Sequence, residues 1–153
     1  MTKKDIDRQI NEFCNELHNI NGIYDDYARS VNIPYTNLYI LSMISKNDEC
    51  TQKIICERTF LPKQTVNAII TGFYKKGLVE LRELPSDRRN KTIHLTNEGK
   101  EYIKEIISHI QDAEYAAMKS LSEEQRKVLI ESLYIYKEAF KKAMLISDKK
   151  INK

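Results

Sequence analysis

Arg88, Arg89 and Lys91 fall within one short run, 86-SDRRNK-91, together with a single acid, Asp87. Long cations on a polar loop suit a polyanion, because guanidinium and ammonium groups donate to phosphate oxygens and cost little to expose. Asp87 does not fit a run selected only for positive charge. Its expected role is a brace, pairing with an arginine or capping backbone amides so that the loop keeps one shape. A second polar set, Lys63, Gln64, Thr65 and Asn67, lies upstream among the apolar residues Val66, Ile69, Ile70 and Phe73. Glutamine and asparagine can pair bidentately with adenine, and a threonine methyl can touch thymine. Taken alone, this second set also fits an ordinary amphipathic helix with its polar face in water.

Charge is distributed unevenly over the 153 residues, which carry a formal net charge of +3. Residues 51–100 hold 10 basic and 5 acidic side chains, whereas residues 1–50 hold 5 and 8. The last third is near balance, with 10 and 9. A basic middle between acidic or neutral flanks points to nucleic acid as the partner. Cys14, Cys50 and Cys56 have no CxxC spacing, and His18, His94 and His109 form no HxxxH pair, so neither a metal site nor a cofactor is expected. No Gly-rich phosphate loop, nucleophile elbow or framed carboxylate pair argues for an enzyme. No apolar run approaches the roughly 20 residues that span a bilayer, and MTKKDIDRQ lacks the apolar core of a signal peptide. A cytoplasmic protein with no membrane association is the expectation.

The elements that must position these residues can be read from periodicity. Ile6, Ile10, Phe13, Leu17, Ile20, Tyr24, Tyr27 and Val31 alternate spacings of four and three, one stripe of a long first helix. Pro34 disfavours helical geometry at Ile33, which stops that helix at about 33. A second helix is predicted over 35–45, and Thr51 caps a short third one. Pro62 opens a fourth helix, which Gly77 ends. LVELREL and KTIHLT then read as two strands around a loop from Pro85 to Lys91. Thr96 caps a long helix with the stripe Ile103, Ile106, Ile107, Ile110, Ala113 and Ala117. Ser122 and Gln125 form a capping box for the last helix, with Leu129, Leu133, Tyr136, Phe140 and Met144 on its stripe.

Short helix, turn, helix and basic hairpin together make the layout of a winged helix-turn-helix. The fold class is therefore mainly α with a small β-hairpin wing. The run Asp87-Arg88-Arg89, Ile93 and Leu95-Thr96-x-x-Gly99 resembles the Asp-x-Arg…Leu-Thr-x-x-Gly signature of the MarR transcriptional regulators. Lys75-Lys76-Gly77-Leu78-Val79 is similar to that family's exit from the recognition helix. Pro62 stands near where many relatives have a polar cap, and Ala68 replaces a frequent basic residue.

The resemblance implies a homodimer on double-stranded DNA that represses from a pseudo-palindromic operator. Residues 1–33 and 99–146 would be dimerisation helices, 34–98 the DNA-binding region and 147–153 a flexible tail. Lys63, Gln64, Thr65 and Asn67 would face the major groove. Arg88, Arg89 and Lys91 would serve the wing, with Arg89 in the minor groove and Asp87 ordering the loop. It also implies release by a small aromatic or phenolic effector, for which Cys14, Tyr24, Tyr27 and Tyr35 are candidate neighbours. Two alternatives stand beside that reading: a thiol-based redox regulator using Cys14, and a winged-helix module that binds protein rather than DNA. Glu12 and Glu16 flank Cys14 and disfavour a thiolate there, so unreactive packing is the better reading of that cysteine.

Overall fold

The structure, a computed structural model, describes the backbone of residues 2–84 and 87–151 and the side chains of residues 2–83 and 91–145. Six helices and one hairpin follow in the order α1 (Lys3–Ser30), α2 (Tyr35–Ser45), α3 (Gln52–Thr59), α4 (Lys63–Lys75), β1 (Val79–Leu84), β2 (Asp87–Leu95), α5 (Asn97–Lys119) and α6 (Glu123–Ile151). This is the mainly helical winged fold expected from periodicity. Two compact units result, residues 1–107 and 108–153.

Helix α1 begins at a capping box in which Thr2 and Asp5 satisfy each other's exposed backbone amides. Those bonds to Thr2 hold the Asp5 carboxyl below the usual carboxylate range. The helix ends at Ser30, slightly earlier than expected. Asn32 takes a left-handed conformation (φ 54°), and the Ile33 amide reaches back to the Ala28 carbonyl at 3.0 Å. Only the end of α1 is covered. Ala28, off the apolar stripe, is buried, and the Tyr27 hydroxyl donates to the Ile106 carbonyl at 3.2 Å. Ile6, Ile10, Leu17 and Ile20 are exposed.

The core of the first unit is built from α2 to β2. Leu38, Ile40, Leu41, Ile55, Val66, Val79 and Ile93 are fully buried, joined by Ile103 and Ile107 from the start of α5. Helix α5 therefore changes role along its length: Ile103 and Ile107 are buried, while Ala113 and Ala117 are exposed. In the second unit the capping box at Ser122 and Gln125 is present in both directions, at 2.8 and 3.1 Å. Arg126 adds a bond to the Met118 carbonyl at 3.2 Å, pinning the α5–α6 turn. No residue of this unit is buried among those described, and the α6 backbone continues to Ile151, past the expected end near 146.

The hairpin departs from the expected layout. Its strands are antiparallel, with Val79 opposite Leu95, Leu81 opposite Ile93 and Glu83 opposite Lys91. The next pair is Leu84 with Asp87, so Arg88, Arg89 and Asn90 are accommodated between consecutive partners of β1. Of the run expected as open loop, residues 87–91 are thus strand backbone with a bulge-like irregularity. Extra residues on one strand can be absorbed this way without breaking the ladder on either side.

Candidate nucleic-acid interface

Helix α4 is oriented by its neighbours before it presents anything. Val66, Ile70 and Phe73 are buried, which turns Lys63, Gln64, Thr65 and Asn67 outward, and all four are exposed. The first turn has no side-chain cap, because Pro62 occupies the cap position. Its early amide groups remain unsatisfied within the helix, which adds partial positive charge at that end. From α3, the Gln52 amide donates to the Lys63 carbonyl at 3.1 Å and fixes the start of α4 against its partner helix. Thr51 caps α3 through the Ile54 amide at 3.3 Å.

A single threonine ties together the end of α4, the base of the hairpin and α5. The Thr96 hydroxyl donates to the Gly77 carbonyl at 2.6 Å and accepts from the Gly99 amide at 2.9 Å. Gly77 adopts φ 70° to end α4. Gly99 sits so close to the preceding chain that a Cβ would fall 2.0 Å from the Leu78 carbonyl oxygen. The hairpin is also held from its side, where the Ile93 amide donates to the Cys50 carbonyl at 2.8 Å and Thr51 bridges to Thr92. Thr92 is buried, and its hydroxyl bonds to the Arg82 carbonyl at 3.3 Å and to His94 Nε2 at 2.8 Å.

Lys63, Asn67 and Lys91 line one open cleft of about 560 Å³ between α3, α4 and the hairpin. Gln52 and Lys53 line it too, and residue types alone had not singled them out. Their only sequence signal is their place in the first turn of a helix antecedent to α4. Lys91 lies 3.9 Å from Glu83, an exposed pair that constrains it little. The predicted roles of Asp87, Arg88 and Arg89 rest on side chains outside the described residues. Their backbone lies in β2 at the irregularity.

The candidate effector residues divide. Tyr24 and Tyr35 meet with ring centroids 5.7 Å apart, and Tyr39 extends the cluster at 6.3 Å from Tyr35. Cys14 is exposed and ten residues from Tyr24, about 15 Å along the same helix at 1.5 Å per residue, so the chain does not bring it to the tyrosines. Cys50 is buried, which pushes its thiol up. Among the described residues no cluster of His, Cys, Asp or Glu could hold a metal, and no helix is long and apolar enough to cross a membrane.

A short helix, a turn, an outward-facing helix and a side-anchored hairpin define a winged helix-turn-helix protein. Residues 31–90 match the family model described as MarR family, in line with the resemblance of the signature. It is 28% identical over 110 residues to the HTH-type transcriptional regulator SarZ of Staphylococcus epidermidis, covering 72% of this chain and 73% of that one. Its fold is similar to that of a MarR family regulator from Neisseria meningitidis, with a TM-score of 0.78, 24% identity and coverage of 91% and 98%. It is similar as well to FabT of Streptococcus pneumoniae, solved in complex with DNA, with a TM-score of 0.71, 19% identity and coverage of 89% and 98%. The curated relatives are transcriptional regulators, not enzymes.

Proposed function

We propose that this chain is a sequence-specific regulator that binds double-stranded DNA as a homodimer and represses from a pseudo-palindromic operator. The observation that carries the reading is the N-terminal end of α4. Four polar side chains of types that pair with base edges are exposed there, on a helix whose other face is buried beside a basic hairpin. Similar proteins named as transcriptional regulators, one fold neighbour bound to DNA among them, support it. Lys63, Gln64, Thr65 and Asn67 face the major groove. Arg88, Arg89 and Lys91 reach phosphates or the minor groove, with Asp87 holding the loop. A homodimer is supported by the exposed apolar residues of α1 and α6, and a small aromatic or phenolic effector by the tyrosine cluster of α1 and α2.

The test begins with selection of genomic DNA fragments by the purified chain at low salt. Arg89→Ala should then weaken binding to the selected duplex by about 1 kcal/mol or more and lower the salt slope by about one. Unchanged affinity and slope would remove Arg89 from the interface. A wild-type chain that enriches no sequence would favour the protein-binding module instead.

A further inference from the structure

Phe60 is the most exposed of the large hydrophobic residues described, at 91%. It is also one of two non-glycine residues at positive φ among those described, at 57°. The other is Asn32, a residue type that tolerates the left-handed region, whereas a bulky side chain there is an outlier. The turn leaves Phe60 little freedom. Its amide donates to the Cys56 carbonyl at 2.9 Å. On its N-terminal side the Thr59 hydroxyl donates to the Ile55 carbonyl at 2.7 Å and accepts from the Leu61 amide at 3.3 Å. The aromatic ring is therefore held in water by a well-made turn, in a backbone state that glycine or asparagine would occupy with less strain. Strain retained at an exposed aromatic residue is a sign of use rather than packing.

Its location says what the use is. Phe60 is three residues before Lys63, so its Cα is within about 11 Å of the first helical residue of α4 by chain length alone. Arg58 and Lys63, both exposed, flank it on either side in sequence. An aromatic side chain between cations, at the leading edge of the helix read as facing the major groove, is placed for the apolar parts of a duplex. Those parts are the thymine methyl and the deoxyribose.

We infer that Phe60 is a DNA-contacting residue, set against the apolar edge of the duplex beside the bases faced by α4. This rests on the DNA-binding reading and adds to it a contact that carries no charge. The test compares wild type with Phe60→Asn on a duplex selected by the wild-type chain from a random library, over a range of salt, with a thermal melt of each protein. Binding should weaken on the order of tenfold, the scale of losing one good base-edge contact. The salt slope should not change, because no counterion release is lost, and the melting temperature should hold or rise as the strain is relieved. Equal affinity would overturn the contact while leaving DNA binding intact, and a protein partner would then be the occupant. Weaker binding with a lowered melting temperature would also overturn it, assigning Phe60 to the fold. A wild-type chain that selects no duplex overturns both readings together.

Discussion

The two units of this molecule hold their apolar residues in opposite ways. In residues 1–107 the helix-turn-helix and hairpin bury Leu38, Ile40, Leu41, Ile55, Val66 and Ile93 among themselves. In residues 108–153 no described residue is buried, and α6 leaves Leu129, Leu133, Tyr136, Phe140 and Met144 exposed along one stripe and Val128, Ile130 and Tyr134 exposed beside it. A helix apolar on so much of its circumference does not remain in water unpartnered. The difference teaches that the helix-turn-helix and hairpin, the proposed reading head, carry a core of their own, while the C-terminal helices present apolar residues that need a further surface. In the proposed homodimer a second copy would supply that surface. The part of α1 up to Ile20, with Ile6, Ile10, Leu17 and Ile20 exposed, belongs with the second kind of region although it lies in the first unit.

The comparison breaks most sharply under a pair of truncations. Ile40 is fully buried in the reading head, and Ile40→Ala should cost about 2–5 kcal/mol at any protein concentration. Leu133→Ala should weaken the proposed dimer about tenfold or more, and its thermal midpoint should fall further on dilution. Sedimentation equilibrium with melts over a hundredfold range of concentration reads both. A concentration-independent loss in Leu133→Ala, with no change in association, would mean that the stripe is not the dimer surface.

A smaller effect tests the junction that lets the reading head act as one body. Thr96 bonds at once to the Gly77 carbonyl and the Gly99 amide, linking α4, the hairpin and α5. Thr96→Val keeps the shape and removes both bonds, and should cost about 1–2 kcal/mol. The loss should be the same at every concentration, like that of Ile40→Ala. Hydrogen exchange should speed up at Gly99 and leave the α5–α6 turn unchanged. Protection lost equally in both places would show that the two units unfold as one.

Most of this architecture was legible because it is written in local rules. The Thr51 and Thr96 caps, the Ser122 box, Gly77 at the end of α4 and the bounds of α2 follow from side-chain chemistry that acts within a few residues. The hairpin register was not legible in that way. Residues 85–91 are polar enough for a loop, and only pairing across strands decides that Asp87 sits opposite Leu84 with three residues absorbed between partners. Ala28 shows the same limit: the stripe of α1 identifies one face, while tertiary packing selects which residue is covered most. Of the site, the outward set on α4 could be read from its alternation with buried residues, whereas Gln52 and Lys53 enter the cleft through tertiary packing. Phe60 gave no signal, since nothing about a phenylalanine in sequence announces a positive φ.

The smallest expected effect runs the other way and sharpens the contrast from inside the reading head. Gly72 lies within α4, and a Cβ built there meets nothing within 4 Å. Gly99, by contrast, has no room for one. Glycine in a helix interior costs up to about 1 kcal/mol relative to alanine, through backbone entropy lost on folding. Gly72→Ala should therefore raise stability by up to about 1 kcal/mol, equally at all concentrations, because it acts within the self-sufficient unit. DNA affinity should not change, since Gly72 is more than a turn past Asn67, the last of the exposed polar set at the start of α4. A melt together with one binding titration decides it. Stabilisation with unchanged binding would show that the head tolerates a stiffer α4. Stabilisation bought with weaker binding would show that α4 must yield to engage the groove, and the reading head would then be less self-contained than its buried core suggests.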